Sequence, residues 1–140
     1  MKMKRHSIQL PSSEHHNLSQ SEAFFYLIED GQKEKILFHD YDRIYQTPGL
    51  YEQIFYDRLR CNSTKVVTDL IYKAVENAHE TFTQLRVLDL GAGNGMMGEA
   101  LNKYGVSRVV GVDITTEARR ATYRDRPGIY DEYYIENFTK

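Results

Sequence analysis

Apolar positions along this chain fall into runs of two periods. Over Asn62–Ala78 they recur at helical spacing (Val67, Leu70, Ile71, Ala74, Val75, Ala78), with Asn62, Ser63 and Thr64 supplying helix-start chemistry. This predicts a helix packed on a sheet just ahead of the sheet's first strand, with 80–84 as the connecting turn. The strand itself is read at Leu85–Leu90, an apolar run carrying one acid, Asp89. A second helix is expected from Met96, Met97, Ala100, Leu101 and Tyr104, stopped by Gly105 as the residue beyond its end. A second strand follows at Val106–Val112, rich in β-branched residues and ending at Asp113. Thr115 or Thr116 caps a third helix through Ala118, Ala121 and Tyr123, which Pro127-Gly128 ends, and Tyr130–Glu136 reads as a third strand.

The first half of the chain patterns differently. Residues 1–22 show neither period and read as a flexible arm; His15-His16 within it is a solvated pair, with no acid or cysteine at ligand spacing to make it a metal site. From Ala23 to Phe38 two apolar runs flank Glu29-Asp30-Gly31-Gln32, and Asp-Gly between such runs predicts a β-hairpin, acting as a lid or an extra sheet edge. His39–Tyr56 is the densest tyrosine region, broken by Pro48-Gly49. After the break, Tyr51, Phe55 and Leu59 fall on one face of an amphipathic helix. The domain reading is therefore an arm over 1–22, a hairpin and helical cap over 23–84, and an α/β domain over 85–140.

The chemistry concentrates between the first strand and the second helix. Gly91, Gly93 and Gly95 stand at alternate positions where an apolar strand must reverse tightly, and bare backbone there lets a ligand approach. Asp113 lies 20 residues beyond Gly93, at the carboxyl end of the second strand. That is where a carboxylate accepts bonds from ribose hydroxyls, although an acid at that place also suits a helix cap. The dinucleotide fingerprint would need a third glycine where this chain has Met96, which demotes a nicotinamide-dependent oxidoreductase to a minor alternative.

The run Val87-Leu88-Asp89-Leu90-Gly91-Ala92-Gly93-Asn94-Gly95, together with Asp113, resembles the first motif and ribose acid of the class I S-adenosylmethionine-dependent methyltransferase family. The resemblance covers 85–140 and reaches more loosely upstream. It implies an α/β, Rossmann-like methyltransferase fold, present as its first three parallel strands with their helices and preceded by the N-terminal hairpin and helices. It implies S-adenosyl-L-methionine as cofactor, with Asp113 on the ribose hydroxyls, Ile114 against adenine, and Gly91, Ala92, Gly93, Asn94 and Gly95 along the amino acid tail. Asp89 reaches that tail or satisfies loop amides, and both roles can hold at once. In the family an acid after the third strand commonly meets the adenine amino group; the matching place here is Asn137. Tyr41-Asp42-Arg43-Ile44-Tyr45 looks like the segment that closes over the cofactor in many members, which adds Tyr41 and Tyr45 to the expected binding residues. No catalytic residue is assigned, because methyl transfer needs positioning rather than an acid-base pair. The family fold continues through four more strands, so the resemblance implies only its N-terminal part, with an open edge on the first strand where a second copy, an exchanged strand or the Ala23–Phe38 hairpin could pair. A cofactor-binding module without turnover is the non-enzyme alternative.

Composition narrows the partners. A chain of 140 residues with 41% hydrophobic content and net charge −2 is ordinary globular material with no phosphate-binding groove, which favours a small-molecule acceptor over nucleic acid. One cysteine, Cys61, precludes an internal disulfide, and no apolar run approaches membrane-spanning length or follows a charged leader. The cytoplasm is the expected compartment, with no membrane partner. Cys61 itself reads as a small buried hydrophobe.

Overall fold

The computed structural model describes residues 3–12 and 17–139. The chain divides into two units, Met1–Arg60 and Cys61–Lys140. Each carries a three-stranded sheet, antiparallel in the first and parallel in the second, so the protein is mixed α/β. The division falls at Arg60 rather than at the expected 84, because the helix after it packs on the second unit's own helix.

In the first unit the hairpin pairs β2 (Phe24–Glu29) with β3 (Gln32–Leu37). Asp30 and Gly31 form its two-residue turn with φ of 50° and 75°, the left-handed pair that a tight hairpin of matching twist requires. Phe25, Leu27 and Ile36 point to one face and are buried with Ile44, Leu50 and Ile54. On the other face the ammonium groups of Lys35 and Lys33 sit over the rings of Phe24 and Tyr26, at 4.3 and 4.8 Å from Nζ to centroid, and Phe24 is buried. Helix α1 (Tyr41–Gln46) is capped by Asp40, which accepts from Arg43 N at 3.2 Å.

Two expectations fail here. Part of the supposed arm is a strand, β1 (Ser7–Gln9), which pairs antiparallel with β2 and makes the hairpin a sheet. It is held by Gln53, whose side-chain amide accepts from His6 N at 2.8 Å and donates to His6 O at 2.7 Å, as a neighbouring strand would. His6 Nε2 also meets Pro48 O at 2.8 Å. The segment read as an amphipathic α-helix is wound as a π-helix, Glu52–Arg58, closed by Leu59 N donating to Ile54 O at 3.0 Å. The wider turn takes Leu59 off the face it would share with Tyr51 and Phe55 in an α-helix, and Leu59 is exposed while the other two pack on the core.

In the second unit α2 (Ser63–Asn77) precedes a β-α-β-α-β run: β4 (Arg86–Leu90), α3 (Met96–Lys103), β5 (Arg108–Asp113), α4 (Thr116–Asp125) and β6 (Glu132–Ile135). Strand order is β4-β5-β6, all parallel, with Leu88 beside Val110 and Gly111 beside Tyr133. Gly105, at φ 78°, ends α3 as expected, and Thr115 caps α4 by accepting from Ala118 N at 3.0 Å. Alternate residues Val87, Val109, Tyr133 and Ile135 face a core that also holds Leu101, Met97 and Ile71. The apolar stripe expected on α2 is rotated: Thr68 and Val75 are its buried residues, whereas Val67 and Leu70 are exposed. Thr68 can be buried because its hydroxyl donates to Thr64 O at 2.6 Å, and it lies 3.8 Å from Met97 Sδ, so α2 packs on α3.

The opposite face is uncovered at β4, although Val112 on β5 is buried. Leu88 and Leu90 are 60% and 59% exposed, and a shallow depression of about 360 Å³ is lined by Arg86, Val87, Leu88, Arg108 and Val110. β4 is an edge strand, as expected. Among the described residues no helix is long and apolar enough to cross a membrane.

Candidate functional site

Strand β4 ends at Leu90 and the chain turns back on itself over five residues. Gly91, Gly93 and Gly95 have φ of 75°, 56° and 90°, left-handed values that other residues adopt only at a cost, which accounts for glycine at each alternate place. The bend is held from β5: Gly91 N and Ala92 N both donate to Val112 O, at 2.8 and 3.0 Å.

Asp113 closes the second side. Its Oδ2 accepts from Gly93 N at 2.8 Å and its Oδ1 from Thr115 N at 3.1 Å. The spacing read from the sequence thus becomes a direct bond between the distant acid and the middle glycine. A carboxylate offers about four lone-pair sites, so two remain for a ligand. The sequence left open whether this acid caps a helix or meets a ribose; here the cap of α4 is the Thr115 side chain, and Asp113 braces the bend.

Asp89 stands on the helix-covered face of β4. Tyr130 donates to its Oδ2 at 2.7 Å. Burial raises the Asp89 pKa; the Tyr130 hydroxyl opposes that rise, and the Asp113 charge adds to it. Burial first, and Asp89 second, push the Tyr130 phenol far above its ordinary range, so it stays a protonated donor. Tyr133 is raised in the same way, by burial and then by Asp113.

The carbonyls of the bend are occupied too. Gly93 O accepts from Thr122 Oγ1 at 2.8 Å and from Tyr133 OH at 2.7 Å, and Asn94 O accepts from Arg126 at 3.2 Å. Arg126 is buried, with Nε 3.3 Å from Glu99 Oε2. Ala92 and Asn94 are buried, while Ile114, next to Asp113, is 60% exposed and free to lie against a flat ring. Asn137 spends its side-chain oxygen locally, accepting from Thr139 N at 2.9 Å and from the Thr139 hydroxyl at 2.6 Å.

Asp89, the Gly91–Gly95 bend, Asp113 and Ile114 are thus gathered at the carboxyl ends of β4 and β5. Tyr41 and Tyr45 belong to the first unit, where they stack at 6.1 Å, Tyr45 being buried. Cys61 is exposed rather than buried, and the neighbouring Ser63 hydroxyl, 3.2 Å from Sγ, lowers its pKa. Among the described residues no group of three or more His, Cys, Asp or Glu side chains is placed to hold a metal, and His15-His16 lies outside them.

Sequence reasoning missed Tyr130, Tyr133, Thr122 and Arg126. The signal available was glycine inside regular elements: Gly98 in α3 and Gly111 in β5 each mark a place where another group comes close. A Cβ added at Gly111 would lie 3.0 Å from Tyr133 and 3.1 Å from Tyr130, and one at Gly98 would lie 2.7 Å from Tyr130. No family model, curated protein or solved structure matches this chain.

Proposed function

We propose that the second unit is the S-adenosylmethionine-binding part of a class I methyltransferase with a Rossmann-like sheet, delivering a methyl group to a small-molecule acceptor. The observation that carries this reading is the polarity of the glycine bend. Its amides at Gly91, Ala92 and Gly93 are taken by Val112 O and Asp113, and Gly95 N donates to Ala92 O at 3.1 Å. A phosphate-binding loop needs such amides turned outward, and it does not stand between two acids. A bend with inward amides, flanked by Asp89 and Asp113, suits a ligand that brings a cation and a diol. S-adenosylmethionine brings an ammonium, a sulfonium and a ribose diol. The missing third glycine at Met96 points the same way, against a dinucleotide.

When bound, the cofactor supplies an activated methyl on a sulfonium, and its loss as a neutral thioether drives transfer. The chain's own residues orient it. Asp113 has two lone-pair sites left for two ribose hydroxyls, and Asp89 offers its carboxylate to the ammonium of the tail. Ile114 is exposed beside Asp113 for adenine contact. The bend is pinned by Thr122, Tyr133 and Arg126, so it is already ordered before a ligand arrives. Self-association through β4 is proposed alongside, supported by its unpaired edge and by Leu88 and Leu90 on the uncovered face.

Calorimetric titration with S-adenosylmethionine and, separately, with NAD tests the reading. Saturable binding of the first and none of the second is expected; binding of NAD alone would overturn it. A methyl-transfer assay with small-molecule acceptors then separates an enzyme from a binding module.

A further inference from the structure

The ring of Tyr130 sits in a slot that three glycines make. Cβ atoms added at Gly95, Gly98 and Gly111 would lie 3.4, 2.7 and 3.1 Å from its ring atoms. Tyr133 meets it edge-on, with centroids 5.4 Å apart at 84°. A ring confined on these sides has one place for its hydroxyl, which lies 2.7 Å from Asp89 Oδ2 and 3.5 Å from Ala92 O. The phenol has one proton to give, and the shorter, charge-assisted bond to the carboxylate takes it. Glycine is disfavoured inside a helix, and Gly98 stands where a Cβ would collide with this ring.

We propose that Tyr130 is a positioning residue for Asp89: it holds one carboxylate oxygen so that the other is aimed at the ammonium of the ligand's amino acid tail. The proposal rests on the S-adenosylmethionine reading and deepens it. Without the hydroxyl, the half-buried Asp89 loses its fixed orientation and a donor that steadies its charged form. Affinity for tail-bearing ligands falls, whereas the ribose and adenine contacts at Asp113 and Ile114 are untouched. A tyrosine that merely supported the fold would affect all ligands of the bend alike.

The test is a calorimetric comparison of two probes on the full chain. S-adenosylhomocysteine carries the tail; methylthioadenosine has the same ribose and adenine and no tail. Tyr130→Phe is expected to weaken S-adenosylhomocysteine about 3- to 10-fold, the effect of losing one ordered hydrogen bond, and to leave methylthioadenosine within twofold. Asp89→Asn, which keeps the ring and its hydroxyl, should show the same selective loss, and Tyr130→Phe should add nothing to it. Equal weakening of both probes, or no change in either, overturns the role of Tyr130. Should Tyr130→Phe not fold, unchanged S-adenosylhomocysteine affinity in Asp89→Asn overturns it instead, and the selective loss in that variant supports it. A wild-type chain that binds neither probe refutes the cofactor reading itself, a distinguishable outcome.

Discussion

Replacing Gly98 with alanine sets two physical effects against each other, and the sign of the result decides between them. Gly98 lies inside α3 (Met96–Lys103). In an uncrowded helix the change to alanine stabilises by about 1 kcal/mol, because glycine loses the most backbone entropy on folding. Here the added Cβ would lie 2.6 Å from Ile129 Cγ2, 2.7 Å from Tyr130 Cζ and 2.9 Å from Tyr130 Cε1. Something must move. Tyr130 cannot swing away without breaking its 2.7 Å bond to Asp89, and Gly95, Gly111 and Tyr133 hem in its ring. Overpacking of this kind costs about 1–3 kcal/mol. Three contacts under 3 Å, two of them against a tethered ring, argue for the upper end, so the net effect is a loss of about 2 kcal/mol after the helix gain. For a unit of this size each kcal/mol moves the midpoint by roughly 4–8 °C, giving a fall of roughly 8–16 °C in thermal unfolding followed by circular dichroism. A rise in the midpoint of Gly98→Ala would refute the placement of Tyr130 under α3, and with it the positioning of Asp89.

Other perturbations probe separate parts of the account. Asp89→Asn should raise the unfolding midpoint at pH 8: the folded protein raises the Asp89 pKa, so the carboxyl favours folding most when protonated and penalises it as pH rises. The gain should vanish below about pH 4, where the unfolded carboxyl is protonated too, and a gain that persists there would contradict this. Gln53→Ala strands the buried N–H and C=O of His6, at about 1–3 kcal/mol, and should make the first ten residues newly sensitive to limited proteolysis. An unchanged cleavage pattern would mean that Gln53 does not hold β1. Sedimentation should show the chain associating, and Leu88→Lys should shift it to monomer; a wild type that is already monomeric would refute self-association through β4.

What the sequence made legible follows from local chemistry. Asp30-Gly31, Gly105 and Thr115 act through their own backbone or side chain within a few residues, so turn, helix end and cap fell where the pattern placed them. The β-α-β-α-β run was readable because β-branched strands and glycine or proline breaks alternate along it. The 20-residue spacing from Gly93 to Asp113 was legible for a similar reason, since one helix and one strand fix the distance. What escaped depends on partners distant in sequence. Ser7–Gln9 carries one buried residue, Ile8, and becomes a strand only because β2 and Gln53, far along the chain, complete it. The buried face of α2 was misjudged because Thr68 hides its hydroxyl on Thr64 O and can then be buried where an apolar residue was expected. The π-winding of Glu52–Arg58 left no mark in the apolar spacing. Tyr130 reached Asp89 across 41 residues, through a slot legible only in retrospect from the glycines that line it.

The central claim is that Asp89, the Gly91–Gly95 bend and Asp113 grip one sulfonium nucleoside. Amide chemical-shift mapping of the full chain titrated with S-adenosylmethionine tests it most directly. The largest shifts are expected at Gly91, Gly93, Gly95, Asp113 and Ile114, abolished by Asp113→Ala. Shifts confined to other surfaces, or a wild-type spectrum unmoved by saturating ligand, would contradict it.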